Sequence, residues 1–227
     1  METNIDEALL MSARVDLNSQ VLITSQILRI AVYDEFKAYE TYTKIIEKFG
    51  LVQPFVNIKE AEAVHYAALI KLMEKYGVEV PINNWASKIE IPNTLIECCE
   101  MGVAAEIDNI AMYNNLLGFA VENDIKDTLY RLQAASFNNH LPAFRNSVLN
   151  HYTNGNNANI NAENIMEKLG DYQVILDDIM SGNIDESSIS TIFSKLNLSM
   201  VSGAVLGAAT IALLNNYLSK KNIKEEE

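Results

Sequence analysis

The sequence predicts an all-α protein: an antiparallel four-helix bundle followed by a helical C-terminal appendage. Hydrophobic residues make up 49% of the 227 residues, and glycine and proline number only nine and four, so long helices around a sizeable core can form. Apolar residues recur every three or four positions in four long segments between about residues 19 and 152, as expected of helices that bury one face. Each segment also carries a carboxylate or a histidine in the middle of its apolar face.

Residues that break helices separate the first two segments. The first runs from about residue 19 to residue 49, and Gly50 ends it. Pro54 can open the second at its first turn, and Gly77 follows its last residue. Glycine after the last helical residue is the usual end of a helix, so both bounds are well marked.

A longer connection leads to the third and fourth segments. Residues 78–92 contain helix breakers and are long enough for the chain to run back along a bundle. The third helix is expected from residue 93 or 94 to residue 119, and the fourth from about residue 124 to residue 152. Pro142 lies inside the fourth segment and should kink it just after His140.

Five ionisable side chains lie on the inward faces of these helices. Glu62 and His65 are three residues apart and therefore share one face, an arrangement that builds carboxylate-bridged metal sites in helical bundles. Five such groups in a core would repel one another or lose solvation unless a cation holds them, and oxygen and imidazole ligands suit iron, manganese or zinc. Any one of them alone could be a hydrogen-bonded core residue or the edge of a solvated face. The predicted metal ligands are Glu35, Glu62, His65, Glu106 and His140.

Charge and cysteine content exclude several classes of function. A net charge of −13 argues against a nucleic-acid partner. The two cysteines are neighbours, Cys98 and Cys99, and support neither a disulfide scaffold nor a cysteine zinc site. The N-terminus is acidic and lacks the basic and apolar regions of a signal peptide, so a cytoplasmic protein is expected.

The two ends of the chain extend beyond the predicted bundle. Residues 1–18 are expected to be a short helix or a loose arm, residues 153–164 a polar linker, and residues 165–227 a helical region. Within that last region, residues 196–219 carry no charge and include Gly203 and Gly207, a spacing that permits close helix contact. This helix could associate with another copy of the chain, dock on the bundle or span a membrane, and the polar residues within it weigh against a membrane span.

Four segments of the chain together resemble the ferritin-like superfamily on its rubrerythrin side, and most of all an uncharacterised prokaryotic ferritin-like domain family of unknown function. The resemblance covers about residues 22–148 and is carried by YDEFKAYETY, PFVNIKEAEAVHYAAL, CEMGVAAEIDNIAMYNNLL and AASFNNHLPAF. It implies a four-helix bundle that holds two metal ions, usually iron, with redox activity on dioxygen, peroxide or ferrous iron.

The resemblance also implies roles for individual residues. Glu35 and Glu106 match the carboxylates of the first and third helices, while Glu62 and His65 match the Glu-x-x-His of the second. His140 matches the histidine of the fourth helix. In that setting Tyr42, which matches a tyrosine of the family, or Tyr113 would hydrogen-bond a ligand carboxylate.

Two positions depart from the family pattern. Phe137 stands three residues before His140, where the family has a second bridging glutamate, and Asn109 stands where rubrerythrins can supply a further carboxylate. One metal ion, or an unequal pair, is therefore as consistent with the sequence as a full two-iron site. The alternative function is a non-enzymatic helical scaffold whose C-terminal helix docks to a membrane, a shell or a partner subunit.

Overall fold

The computed structural model describes residues 3–154, with side chains as far as His151, and this part of the chain is all-helical and contains no strand. Six α-helices, one 3₁₀ turn and one π-helical segment follow one another. They are α1 (Glu7–Ser12), α2 (Ile23–Phe49), α3 (Phe55–Tyr76), the 3₁₀ turn Trp85–Ser87, α4 (Leu95–Phe119), α5 (Asn123–Ala135), the π segment Ser136–His140 and α6 (Leu141–Asn154).

Most predicted helix ends match the structure. Gly77 adopts a positive φ of 64° after α3 and its N–H bonds the last turn, a conformation that glycine adopts without strain. Thr94 caps α4 in a reciprocal capping box with Glu97, which satisfies N–H groups that the first turn leaves without partners.

The beginning of α2 lies four residues later than the predicted position of residue 19. The buried Gln26 side chain accepts a hydrogen bond from the Asp16 N–H and donates to the carbonyls of Asp16 and Val21. These bonds hold residues 16–21 in a turned conformation outside the helix, because the side chain satisfies backbone groups that a helix would otherwise pair.

Two clusters of buried hydrophobic residues fill the interior. The first cluster contains residues from the N-terminal half of α2, the C-terminal halves of α3 and α4, and α5. The second cluster contains residues from the other ends of α2, α3 and α4, and from α6. It follows that α2 and α5–α6 run from the first cluster to the second, whereas α3 and α4 run from the second to the first.

The N-terminal residues pack onto this interior. Leu10 of α1 is buried in the first cluster, and Asp6 forms an ion pair with Arg29 of α2 at 2.6 Å. Asn4 exchanges two hydrogen bonds with the backbone of Ile82. Trp85 is 4% exposed and donates its indole N–H to the Tyr33 carbonyl at 2.9 Å, so it belongs to the first cluster.

The π segment changes the rotation of the fourth long helix. Five buried residues of this helix recur at every fourth position. In an α-helix, four residues turn by roughly 40° more than a full turn, so residues at this spacing would move progressively off the buried face. A π turn contains more residues per turn and brings them back to one face. The Leu141 N–H bonds the Ser136 carbonyl, five residues earlier. The change of helical geometry therefore lies at residues 136–140 and ends directly before the position where Pro142 is predicted to kink the helix. The five residues are Leu132, Ser136, His140, Phe144 and Val148.

Predictions for the rest of the chain fall largely outside the described range. The linker at 153–164, the helical region 165–227 and the uncharged stretch 196–219 lie there, apart from residues 153 and 154, which belong to α6. Of the helices between residues 3 and 154, none has the length and apolar character that crossing a bilayer requires.

Candidate metal centre

The five predicted ligands meet in one buried layer between the two hydrophobic clusters, called here the polar layer. Each is less than 9% exposed, although all five are ionisable. Ionisable side chains are rarely buried without a compensating partner. Glu35 comes from α2, Glu62 and His65 from α3, Glu106 from α4, and His140 from the last position of the π segment.

The ligand atoms of the polar layer form two groups of three. One group is Glu35, Glu62 and His65, and the other is Glu62, Glu106 and His140; in each, one ligand atom per residue lies within 4.8 Å of the others. Glu62 belongs to both groups. The arrangement can therefore hold two cations side by side with one carboxylate between them, or one cation in either position.

In the first group, His65 Nδ1 and both carboxylate oxygens of Glu35 have hydrogen-bond partners. His65 Nδ1 lies 2.9 Å from Glu62 Oε2 and 3.2 Å from Glu35 Oε2. The Tyr113 hydroxyl donates a short hydrogen bond to the other oxygen of Glu35. These contacts hold the group together without a metal.

The second group contains two buried polar atoms with no hydrogen-bond partner. His140 Nδ1 lies 3.3 Å from Glu62 Oε1 and 3.5 Å from Glu106 Oε2, but neither His140 Nδ1 nor Glu106 Oε2 makes a hydrogen bond. Buried polar atoms without partners cost about 1–3 kcal/mol each. A cation would satisfy both, so the residues present fit a metal ion.

Tyrosines connect α2 and α4 crosswise. The Tyr42 hydroxyl on α2 donates to Glu106 Oε1 on α4 at 3.0 Å, while Tyr113 on α4 donates to Glu35 on α2. Each tyrosine follows the glutamate of its own helix by seven residues. The rings of His65 and His140 stack with their centroids 5.5 Å apart. The two groups therefore contain the same kinds of ligand and share Glu62, although their hydrogen bonds differ.

The pKa values of these residues follow from burial and mutual charge. Burial and the neighbouring Glu62 charge raise the pKa of Glu35 to about 8. Burial opposes protonation of both histidines, but the facing carboxylates outweigh it and raise the pKa of His65 and of His140 to about 10. Burial likewise works against ionisation of Glu62, yet its contacts with His140 and His65 leave its pKa lowered.

Burial also raises the pKa of both tyrosines, Tyr42 and Tyr113, well above the ordinary value, and the charges of the adjacent glutamates add to this effect. Their hydroxyls therefore stay protonated and act as hydrogen-bond donors. A donor on each outer carboxylate fixes which of its oxygens faces the centre of the polar layer.

Phe137 and Asn109 belong to neither metal-binding group. Phe137 is partly buried and packs against the second hydrophobic cluster. Asn109 hydrogen-bonds Asp34 and Ser136. The sequence did not predict that Asn109 bonds Ser136 and Asp34. Ser136 does belong to the series of inward residues that recur every fourth position in the last helix, and this spacing was the one sign of its burial.

Comparison with known proteins adds support for the fold alone. A scan against protein-family models and a search of curated proteins both found no match. Among solved structures, the chain is similar to the crystal structure of hypothetical protein MJ0754 from Methanococcus jannaschii, with 23% sequence identity and a TM-score of 0.53. The match covers 67% of this chain and 96% of that one.

Proposed function

We propose that this chain is a ferritin-like metalloprotein that binds one or two transition-metal ions, iron in the first instance, inside an antiparallel four-helix bundle. The directions of α2, α3, α4 and α5–α6 relative to the two hydrophobic clusters support that bundle. The resemblance of four sequence segments to the rubrerythrin side of the superfamily supports the same proposal.

One observation carries the proposal. Two buried groups of carboxylate and imidazole ligands share Glu62, and the second group contains two buried atoms that make no hydrogen bond within the protein. Carboxylates and imidazoles in a closed apolar core are expensive without a cation. The same donor set suits iron, and it also suits manganese and zinc.

Each of the two candidate metal positions would have its own ligands and would share Glu62 with the other. Glu35 and His65 would hold one ion, Glu106 and His140 the other, and Glu62 would lie between them. Iron held by such ligands with an open position supplies redox chemistry on dioxygen, peroxide or ferrous iron. The chain's own contribution is to exclude water, because every ligand is buried, and to orient the outer carboxylates through Tyr42 and Tyr113.

The composition of the polar layer also bears on the number of ions. Only one carboxylate is common to both groups, so a second ion would have fewer anionic ligands than in a site with two bridging carboxylates. This favours an unequal pair over two equal positions. The absence of a second shared carboxylate, with Phe137 at the position expected to supply it, is also the feature that most favours the alternative function as a non-enzymatic scaffold.

Metal analysis of the purified protein tests the proposal. The natural protein should contain or take up at least one iron per chain, and Glu62→Ala should lose most of it while circular dichroism shows unchanged helicity. Glu60→Ala is the matched control, since Glu60 lies on the same helix with an exposed side chain. Equal metal content in Glu62→Ala and the natural protein would refute the site. Absence of metal from the natural protein, even after loading with ferrous iron, would favour the scaffold.

A further inference from the structure

Asn109 connects three helices beside the polar layer. Its Nδ2 donates to Asp34 Oδ2 on α2 at 2.9 Å, and its Oδ1 accepts a hydrogen bond from Ser136 Oγ at 2.8 Å. Asn109 itself belongs to α4, and Ser136 is the first residue of the π segment. We infer that Asn109 is a positioning residue that holds the π segment in place and so sets the position of His140. The inference rests on the proposed metal site.

The chemistry of the three side chains fits asparagine at this position. An amide offers a donor and an acceptor on opposite branches, and here the donor faces a carboxylate while the acceptor faces a hydroxyl. Aspartate would place two acceptors there, and one of them would face Asp34. The connection therefore depends on the N–H donor of the amide, because aspartate has nearly the same size but lacks that donor.

The π segment is anchored at its beginning. Ser136 is 4% exposed, its hydroxyl bonds Asn109, and its carbonyl accepts the i+5 bond from Leu141. One turn earlier, Gln133 donates to the Ile110 carbonyl and the Asn114 side chain. The helix is thus tied to α4 directly before the residues whose geometry departs from the α-helix.

The two metal-binding groups depend on this anchor to different degrees. Glu62 and His65 lie three residues apart on the α-helix α3, where ordinary helix geometry places them side by side. His140 is the last residue of the π segment, so its position depends on that segment being formed. Loss of Asn109 should therefore weaken metal binding by the group that contains His140 and leave metal binding by the group that contains His65 largely unchanged.

Hydrogen exchange of the full-length, metal-free protein provides the direct test. Asn109→Ala and Ser136→Ala should raise amide exchange at residues 137–141 at least about tenfold, because both remove the anchor. Asn4→Ala is the control: it removes an asparagine that also donates and accepts, but bonds Ile82 beside α1. Unchanged exchange at residues 137–141 in Asn109→Ala would overturn the inference, whatever the metal does.

A swap of the two side chains tests the chemistry. Asn109→Asp alone should disturb the segment, whereas Asn109→Asp combined with Asp34→Asn restores one donor facing one acceptor and should return exchange to the natural level. A double variant no better than the single one would contradict the role given to the amide.

Titration with Co²⁺ connects the anchor to the site. The binding step that His140→Ala abolishes should be weakened about 10- to 100-fold in Asn109→Ala, the usual range for groups that orient a ligand, and restored in the double variant. If Asn109→Ala changed the Co²⁺ affinity of every binding step equally, or changed none of them, the link between Asn109 and His140 would be overturned. Failure of the natural protein to bind Co²⁺ would count against the metal site, while hydrogen exchange would still decide whether Asn109 holds the segment.

Discussion

His65 and His140 hold protons that a metal ion must displace. The facing carboxylates raise the pKa of each to about 10 against burial, which opposes the charge, so both imidazoles are protonated at neutral pH in the metal-free protein. A histidine binds metal only in its neutral form. Metal binding and protonation therefore compete for the same two nitrogens.

We expect the metal-free protein to lose stability as the pH rises from about 6.5 to about 10. The folded-state pKa of each histidine lies above the ordinary 6.5, so the stabilisation is complete below 6.5 and is lost as the pH passes through the folded value. Glu35, with its pKa raised to about 8, contributes in the same direction. Each pKa unit corresponds to about 1.4 kcal/mol, so urea unfolding at several pH values can measure the loss.

Metal affinity should change in the opposite direction over the same pH range. Calorimetry in two buffers of different ionisation enthalpy should show protons released on Co²⁺ binding. His151→Gln is the control, because that side chain is exposed and outside the polar layer. A pH-independent affinity with no proton release would contradict the protonation states given to the layer.

At single positions, periodicity predicts burial better than it predicts partners. Glu35, Glu62, His65, Glu106 and His140 lie on inward faces because helical spacing places them with the apolar residues. The resemblance predicts that Tyr42 or Tyr113 hydrogen-bonds a ligand carboxylate, and both do, but the crossed pairs could not be predicted from periodicity. They depend on how far α2 and α4 are rotated relative to each other, which the pattern of one helix does not contain.

Among the helices, α4 and α6 approach each other closely at Gly102. A Cβ on Gly102 would lie 2.7 Å from the Phe144 ring, and that ring is fully buried against Tyr42 and Phe55. Gly102 lies about one turn before Glu106, and Phe144 about one turn after His140. Close approach at this point therefore determines how near Glu106 and His140 can lie.

Gly102→Ala should destabilise the protein by about 1–3 kcal/mol, since overpacking of a filled core outweighs the gain in helix propensity. Gly118→Ala is the matched control on the same helix, because a Cβ there meets nothing within 4 Å, and it should be neutral or stabilising by up to about 1 kcal/mol. Denaturant unfolding of both variants measures the difference. Equal stability of the two would show that the Phe144 ring moves aside freely.

The helices illustrate what local sequence determines. Gly50, Gly77 and Thr94 mark helix ends through backbone conformation and capping, which are local properties, and the structure places ends there. The later start of α2 depends on the Gln26 side chain reaching back to Asp16. The π segment depends on keeping residues of α5 and α6 on one buried face, a requirement that only the packed molecule imposes.

For the whole molecule, residues 3–154 already contain both hydrophobic clusters and the complete polar layer. A chain that ends at Asn164 should therefore remain soluble and helical and should bind metal as the full chain does. Circular dichroism and metal analysis of the two forms make the comparison. An insoluble or unfolded product would show that residues after 164 complete the core.

The crossed tyrosines also bear on how the chain selects one structure among similar ones. Apolar stripes alone would allow α2 and α4 to pack in several rotations of nearly equal energy. Only one rotation joins Tyr42 to Glu106 and Tyr113 to Glu35 at the same time. Without metal, the polar layer thus stabilises the fold less than an apolar core of the same volume would, but it favours a unique packing. Replacing its glutamates and histidines with leucine and methionine, and Tyr42 and Tyr113 with phenylalanine so that no buried hydroxyl loses its acceptor, should raise the unfolding temperature and broaden the NMR signals. Sharp, singly populated signals would show that uniqueness comes from the apolar core.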